Sequence, residues 1–245
     1  MLTAVALPGL PEVRPGDDLA ALLAGAAGRL EGGLRPGDVL AVAHKVISKA
    51  EGRTVRLADV SPGPRAHALA AEHGKDPRHV QVVLDECEDL LRADRGRLIC
   101  RTRHGFVCAN AGVDASNAGA PDTLVLLPAD ADASARALRR RLGCAVVVTD
   151  SFGRAWRHGQ CEVAIGCAGL APLVDWRGRP DAGGRELAAT VIATADEAAG
   201  AADLVRGKDT REPAVRIRGL ERHVTADDGP GAAALVRALE DDLFR

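Results

Sequence analysis

The densest group of chemically active side chains follows a run of β-branched residues in the segment VVVTDSFGRAWRHGQ, residues 146–160. The run predicts a buried strand, and Asp150 and Ser151 come where that strand is expected to give way to a loop. A carboxylate beside a hydroxyl offers hard oxygen ligands, which suit magnesium or manganese better than zinc. On spacing alone, a turn capped by these residues is the alternative.

Cations crowd the rest of the same segment. Arg154, Arg157 and His158 share one short predicted loop. Such an arrangement suits a polyanion, whereas a merely solvated loop has no need of so many cations. The cations therefore favour a site for metal and phosphate over a simple turn.

A segment rich in glycine and alanine, HGFVCANAGVDASNAG at residues 104–119, offers further polar ligands. Asn110, Asp114, Ser116 and Asn117 stand among residues of little bulk, so the backbone can approach a ligand closely. Asp114 would supply a second carboxylate to the metal. Its alternative role is to cap a short turn with its side chain.

Two further segments could contact a nucleotide. Lys45 and Lys49 lie at the exit of an apolar strand in AHKVISKAEGR, residues 43–53, where ammonium groups can reach phosphate oxygens; the alternative is a pair of solvated lysines. The turn-rich GLPEVRPGDD, residues 9–18, could form a rigid wall around a base or ribose, although by itself it indicates only a loop. The common nucleotide-binding motifs, GxxxxGK[ST] and GxGxxG after a strand, do not occur in the sequence. A nucleotide would therefore need a binding loop of another kind.

The composition excludes several functional classes. The chain has 245 residues, 47% hydrophobic and 27% charged, with a net charge of -2, which argues against broad electrostatic capture of nucleic acid. Three Phe, two Trp and no Tyr leave few aromatic platforms for stacking bases. No stretch reaches the roughly 20 apolar residues that a membrane span needs, and the start of the sequence does not resemble a secretion signal. We expect a cytoplasmic protein with no nucleic-acid or membrane partner.

The six cysteines form no CxxC pair, and most have apolar neighbours in the sequence. Cysteines of this kind behave as small hydrophobic residues, and a reducing compartment keeps them as thiols. We therefore expect buried, reduced cysteines and no zinc site.

Short β-branched runs alternate with alanine-rich helical patterns, which predicts an α/β protein built as one compact unit or two intimate lobes. A helix that begins at Asp17 or Asp18 is expected to end at Leu30, and another opens at Asp76-Pro77. A long amphipathic helix is predicted at residues 184–206, and a last helix at residues 231–244. The remaining predictions are strands at residues 3–7, 38–44, 97–103, 123–127, 145–149 and 214–219, and helices at residues 64–73 and 132–141.

Together these segments resemble the F420 gamma-glutamyl ligase family, the GTP-dependent coenzyme F420-0:L-glutamate ligases. The resemblance is carried by KVISKAEGR, NAGVDASN and TDSFGR with the later GREL, and it covers nearly the whole chain. It implies a mixed α/β fold with an unusual mixed sheet, a homodimer, and a single ligase domain over residues 1–245 without a fused reductase domain. The nucleotide would lie in a groove near the dimer interface.

The resemblance also implies an activity. The enzyme would join the amine of L-glutamate to the phospholactyl carboxylate of coenzyme F420-0, or of its dehydro precursor, and release GDP and phosphate. Magnesium or manganese would serve as the divalent cofactor and potassium as a monovalent activator. The alternatives are a nucleotide- and metal-binding docking module without ligase activity, and a metal-dependent phosphohydrolase.

Site residues carry over from the family position by position. Asp114, Asp150 and Ser151 resemble metal ligands, and Arg154 and Arg157 could neutralise phosphate; both aspartates and both arginines are the expected catalytic residues. The expected nucleotide contacts are Leu10, Pro11, Glu12, Val13, His44, Lys45, Lys49, Asn117, Arg206, Gly207, Lys208, Asp209, Thr210, Arg211, Glu212 and Pro213.

Some details of the site differ from the family pattern. Ser151 stands where archaeal relatives tend to have threonine, which keeps the hydroxyl. Lys208 stands where some relatives carry a glutamate that ligates metal, and a protonated lysine cannot do so. Either a second metal is bound differently or, as we expect, Lys208 supplies a fixed positive charge instead. For the general base, His104 and His158 are the candidates.

Overall fold

The computed structural model describes residues 1–242. The strands are β1 (Thr3–Ala6), β2 (Val39–Ala43), β3 (Thr54–Arg56), β4 (Cys87–Asp94), β5 (Arg97–Thr102), β6 (Val107–Ala109), β7 (Thr123–Val125), β8 (Ala145–Arg154), β9 (Arg157–Ala168), β10 (Val174–Asp175), β11 (Val191–Ile192) and β12 (Ala214–Arg218). The α-helices are α1 (Leu19–Ala27), α2 (His44–Ala50), α3 (Pro64–His73), α4 (Pro77–Glu86), α5 (Ala131–Leu142) and α6 (Thr194–Asp203).

The central sheet has five strands in the order β1-β12-β2-β8-β9. Strands β2 and β8 run parallel, and their other pairings in this sheet are antiparallel. Helices cover both faces: Leu40, Val42, Val146 and Val148 belong to a core shared with α1, α2 and α5. The opposite face packs against α6. Burial on both faces explains why β2 and β8 read as continuous apolar runs without alternation. The predicted mixed α/β class is confirmed.

A third hydrophobic core lies under α3 and α4 and is separate from the central sheet. Helices α3 and α4 pack there with a three-stranded antiparallel sheet of β4, β5 and β6 and with the β3–β7 pair. Whether this region forms a distinct lobe, and whether the chain forms a dimer, stay predictions.

Local sequence signals set most helix boundaries. Asp18 accepts a hydrogen bond from the backbone N–H of Ala21 at the start of α1. Proline occupies the first position of both α3 and α4. Gly143 ends α5 in the left-handed conformation at φ 71°. These four predicted helices are present, with boundaries that agree within a few residues.

The predicted helix at residues 184–206 is wrong over its first half. Only Thr194–Asp203 is helical. Upstream, the Asp181 carboxylate accepts hydrogen bonds from the backbone N–H groups of Gly183 and Arg185 and stabilises a turn there. Strands β10 and β11, which lie before and after this turn, pair antiparallel, so Val191 belongs to a strand.

The predicted helix at residues 231–244 is also wrong within the described residues, and residues 243–244 lie outside them. Ala232–Leu235 and Leu239–Asp241 form short 3₁₀ turns. The Asp132 carboxylate, at the start of α5, accepts hydrogen bonds from the N–H groups of Ala232 and Ala233. This tertiary contact fixes the segment in a turn that alanine-rich composition alone does not predict.

The cysteines are free thiols, and most are buried, as expected. Burial, the leading cause in each case, raises the pKa of the Cys108, Cys144 and Cys167 thiols to about 12. Within residues 1–242, none of the helices has the length and apolar character to cross a membrane.

Candidate active site

A cavity of about 600 Å³ opens at the carboxyl ends of the parallel strands β2 and β8. This volume falls in the range of pockets that bind small molecules. Its wall comes from five parts of the chain: the segment 10–13, helix α2 with the strand end before it, the loop 114–117, the β8–β9 hairpin, and the loop 206–213. The carboxyl ends of parallel strands are a usual location for ligand sites in α/β sheets.

Asp150 and Ser151 both line this cavity, but they do not lie where a strand becomes a loop. Strand β8 continues to Arg154, so these residues lie within an extended hairpin. Asp150 Oδ1 accepts a hydrogen bond from the backbone N–H of Ser151 at 2.7 Å, and His44 Nε2 lies 3.4 Å from the same oxygen. The two residues therefore line the cavity, but they belong to a strand and not to the start of the predicted loop.

A β-bulge sets which residues of β9 face the cavity. Val148 pairs with Gly166 and Thr149 with Ala164, so Ile165 is an extra residue on β9. Beyond the bulge, Ser151 lies directly opposite Glu162. Side chains of directly opposed residues are within contact distance.

Helix α2 begins immediately after β2 and carries His44, Lys45 and Lys49 to the cavity. Lys45 Nζ forms an ion pair with Asp114 Oδ2 at 2.6 Å, and Lys49 Nζ forms one with Glu12 Oε1 at 2.5 Å. The His44 side chain is buried, with Nδ1 lying 3.3 Å from Ser48 Oγ. The sequence correctly predicted that both lysines would lie at the exit of an apolar strand.

Asp114 caps a turn, which is one of the alternatives that the sequence left open, and it also lines the cavity. Its Oδ1 accepts a hydrogen bond from the backbone N–H of Ser116, which forms the expected turn, while Oδ2 contacts Lys45. Burial raises the pKa of this carboxyl, but the hydrogen bonds from Lys45 and Ser116 outweigh burial, so the pKa is lowered overall. Asp114 is therefore an anion facing the cavity, and Asn117 lies beside it.

Glu162 is a cavity residue that the sequence analysis missed. Ser151 Oγ donates a hydrogen bond to Glu162 Oε1 at 2.5 Å, Lys208 Nζ lies 3.0 Å from the same oxygen, and Arg206 Nη2 lies 2.6 Å from Oε2. Burial raises the pKa of this carboxyl, but Arg206 and the surrounding donors lower it to about 2. The available signal was the alternation in GQCEVAIG, which is typical of a strand that returns beside β8.

The expected nucleotide contacts converge on one cavity with few exceptions. Residues 10–13, His44, Lys45, Lys49 and Asn117 all line it. In the loop 206–213, Asp209 and Thr210 are not among the lining residues, and Thr210 Oγ1 instead donates a hydrogen bond to the Gly207 carbonyl oxygen.

The hairpin tip lies outside the cavity wall. Arg154, Arg157 and His158 are exposed, and Arg154 donates a hydrogen bond to the His158 carbonyl oxygen. His104 is also absent from the lining, and its Nε2 lies 3.0 Å from the Pro128 carbonyl oxygen. Neither candidate general base therefore faces the cavity in its own chain.

The cavity wall carries equal numbers of positively and negatively charged side chains. The cations are Lys45, Lys49, Arg206, Lys208 and Arg211, and the carboxylates are those of Glu12, Asp114, Asp150, Glu162 and Glu212. No group of three His, Cys, Asp or Glu side chains in residues 1–242 is arranged to hold a metal ion by itself. Magnesium, however, is usually bound by one or two carboxylates completed by substrate phosphates and water. Asp114, Asp150 and Ser151 line the same cavity and offer oxygen atoms of this kind.

The model of the F420-0:Gamma-glutamyl ligase family matches residues 9–219, a span that includes every part of this cavity. The chain belongs to this family. Curated relatives match most of this chain, and the match covers most of their own length. A protein of Methanopyrus kandleri named coenzyme F420:L-glutamate ligase is 49% identical over 217 residues, which cover 86% of this chain and 84% of that protein.

Proteins of the same name in two other organisms support this membership in the F420-0:Gamma-glutamyl ligase family. The one from Natronomonas pharaonis is 47% identical over 224 residues, covering 89% of this chain and 86% of the relative. The one from Methanothermobacter thermautotrophicus is 42% identical over 228 residues, covering 89% of both chains.

Proposed function

We propose that this chain is a GTP-dependent ligase that joins L-glutamate to the phospholactyl carboxylate of coenzyme F420-0 or its dehydro precursor. The observation that carries the proposal is the cavity of a member of this ligase family, where Asp114 and Asp150 lie with Lys45 and Lys49. Hard oxygen ligands beside ammonium groups suit a nucleoside triphosphate with its divalent cation. The names of the relatives support glutamate and the deazaflavin as the other substrates.

The chemistry requires activation because a carboxylate is a poor acylating agent. A carboxylate oxygen of the substrate attacks the γ-phosphorus of GTP, the bond from that phosphorus to the β,γ-bridging oxygen breaks, and GDP leaves. The glutamate amine, after losing a proton, attacks the acyl carbon of the resulting acyl phosphate. The bond from carbon to the phosphate oxygen breaks, which gives the amide and inorganic phosphate. Positioning and charge stabilisation supply most of the catalysis in such phosphoryl transfers.

The side chains of the cavity divide these tasks. Lys45 and Lys49 bind phosphate oxygens, and for this they exchange their present carboxylate partners for the ligand. Asp114, Asp150 and Ser151 would hold magnesium or manganese, which neutralises charge on the transferred phosphoryl group. Potassium is proposed as an activator from family resemblance alone.

Arg154 and Arg157 can have the proposed phosphate role only if the hairpin tip reaches the cavity of a second copy of the chain. Because the hairpin tip lies outside the cavity of its own chain, these arginines would reach an active site as part of a homodimer, from the second copy. Mixing inactive Asp150→Asn with inactive Arg157→Ala would then restore activity in mixed dimers. Continued inactivity of the mixture, with both variants folded and able to exchange subunits, would count against this arrangement.

The proposed reaction is tested by phosphate release from GTP with magnesium or manganese, with the deazaflavin precursor and L-glutamate added separately and together. We expect release only with both, and a product whose mass increases by one glutamyl residue. Release with neither acceptor would identify a phosphohydrolase. Tight GTP binding without release would identify a docking module.

A further inference from the structure

Glu162 has no role in the chemistry proposed above, yet it is the most tightly surrounded carboxylate of the cavity. Its side chain is 4% exposed and contacts Ser151, Arg206 and Lys208. Burying a carboxylate is costly unless charges and hydrogen bonds compensate for the lost water. The question is what this arrangement fixes in place.

Arg206 connects Glu162 to both ends of the loop 206–213. It begins the loop, and its Nη1 donates a hydrogen bond to the carbonyl oxygen of Pro213, at the loop's end, at 3.2 Å. Its Nη2 donates to Thr149 Oγ1 on β8 at 3.1 Å. The guanidinium therefore ties the loop to the central sheet, and Glu162 supplies the negative charge that lets it remain buried.

Lys208 adds a contact from within the loop itself. Its ammonium lies 3.0 Å from Glu162 Oε1 and 3.2 Å from Asp203 Oδ1, and it donates a hydrogen bond to Ser151 Oγ at 2.7 Å. Burial lowers the pKa of Lys208, but the carboxylates of Glu162 and Asp203 raise it overall, so the group stays charged. Glu162 thus attracts cations from two positions of one loop.

We infer that Glu162 is a positioning residue that holds the loop 206–213 against the cavity and thereby sets the affinity for the nucleoside triphosphate. The same carboxylate accepts a hydrogen bond from the Ser151 hydroxyl, so the lone pairs of Ser151 Oγ are left to face the Lys208 ammonium. The identity of the ligand rests on the proposed function, whereas the anchoring of the loop does not.

Glu162→Gln tests the inference because it removes the charge and keeps the shape. We expect trypsin to cleave the folded variant faster after Arg206, Lys208 and Arg211, which are the cleavage sites inside the loop. We also expect the KM for GTP and the Kd of a fluorescent GTP analogue to rise about 10- to 100-fold, because small displacements of binding groups are costly. The KM for glutamate should stay unchanged, and Glu162→Asp should restore part of the GTP affinity.

Asp196→Asn is the matched control. Its carboxylate also contacts β9, accepting a hydrogen bond from the Ala164 N–H, but it does not touch the loop. This variant should keep wild-type loop cleavage and GTP affinity. A merely structural role for Glu162 would lower the activity of Glu162→Gln through unfolding and leave its KM for GTP unchanged.

Lys208→Met decides the question if Glu162→Gln does not fold, because it keeps the buried Arg206–Glu162 pair. Faster cleavage after Arg206 and Arg211, with a smaller rise in the KM for GTP, would support the inference. Unchanged cleavage and GTP affinity in the folded variants would overturn it. If the wild type binds no GTP, the proposed function fails, and the cleavage rates alone still test the anchoring of the loop.

Discussion

Two walls of the cavity carry cations under very different conditions. On the lysine wall, formed by Lys45 and Lys49 of α2, each ammonium pairs with a carboxylate that water can reach; Glu12 is 58% exposed. On another part of the wall, named here the Glu162 wall and formed by Glu162, Arg206 and Lys208, the central pair is 4% and 5% exposed.

The difference teaches which cations can serve a ligand. Partly exposed ion pairs contribute little to stability and exchange partners readily. Breaking a buried pair leaves an uncompensated charge and is strongly destabilising. The lysine wall is therefore suited to binding phosphate, and the Glu162 wall to keeping the site in shape.

The largest expected effect comes from breaking the buried pair. Arg206→Met leaves the Glu162 carboxylate without its main partner, and we expect the free energy of unfolding to fall by about 3–5 kcal/mol. Urea denaturation followed by circular dichroism measures this loss. Arg177→Met, which removes a cation from an exposed pair with Asp175, is the control and should leave the free energy of unfolding unchanged. A small loss for Arg206→Met would abolish the contrast between the walls.

A pH titration sharpens the same contrast. The pKa of Glu162 is lowered from its ordinary value of 4.5 to about 2, so its stabilising contribution is present above pH 4.5 and is lost as the pH falls through about 2. A shift of this size corresponds to a contribution on the order of 3 kcal/mol. The difference in unfolding free energy between wild type and Glu162→Gln should therefore shrink between pH 4.5 and pH 2.

Asp203 also faces this cluster through Lys208. Its contribution is common to both proteins, which is why the difference between them is the quantity to measure. A difference that stays constant down to pH 2 would mean that Glu162 is not held as an anion.

On the lysine wall we expect the opposite pattern. Lys49→Met should lower the free energy of unfolding by less than Arg206→Met does, because its partner Glu12 is 58% exposed and stays hydrated when the pair is lost. It should nevertheless weaken GTP binding about 10- to 100-fold, because hydrogen bonds to charged groups contribute more. Isothermal titration calorimetry with GTP and magnesium measures the affinity, and Lys75→Met, which lies outside the cavity wall, is the control. Lost stability with intact GTP affinity would contradict the division of tasks.

The smallest expected effect is a several-fold change in metal response on replacing Lys208. Lys208→Glu brings a third carboxylate to Glu162 and Asp203, where an ammonium now supplies the positive charge. We expect a stronger dependence on manganese, measured by manganese binding and by activity over a manganese titration. An unchanged metal response would count against Lys208 as a fixed substitute for a cation.

The sequence predicted the lysine wall better than the Glu162 wall. Lys45 and Lys49 follow β2 directly, and Asp150 follows the buried part of β8, so a parallel pairing of these strands was enough to bring them together. Glu162 could not be found in this way. Its position depends on the return strand β9, which was not predicted, and on a register that no local pattern reveals.

A local turn and a tertiary contact explain the errors in the fold. Alanine spacing at residues 184–206 matches a helix, but the Asp181 carboxylate binds backbone N–H groups and ends that possibility upstream of Thr194. The hairpin tip shows the same limit for the site. The cluster of cations correctly indicates a charged segment. Where the twelve-residue strand β9 places these cations depends on how the strand pairs in the sheet.

Because of the bulge at Ile165, the candidate active site depends on the number of residues in this part of β9 as well as on their identity. If the pairing of Val148 with Gly166 continued without the bulge, Ser151 would lie opposite Val163, and Glu162 would lie opposite Phe152. A hairpin with this slipped alignment can still close, yet it would present an apolar side chain to the Ser151 hydroxyl. Insertions and deletions between residues 162 and 166 are therefore incompatible with the alignment that places Glu162 opposite Ser151.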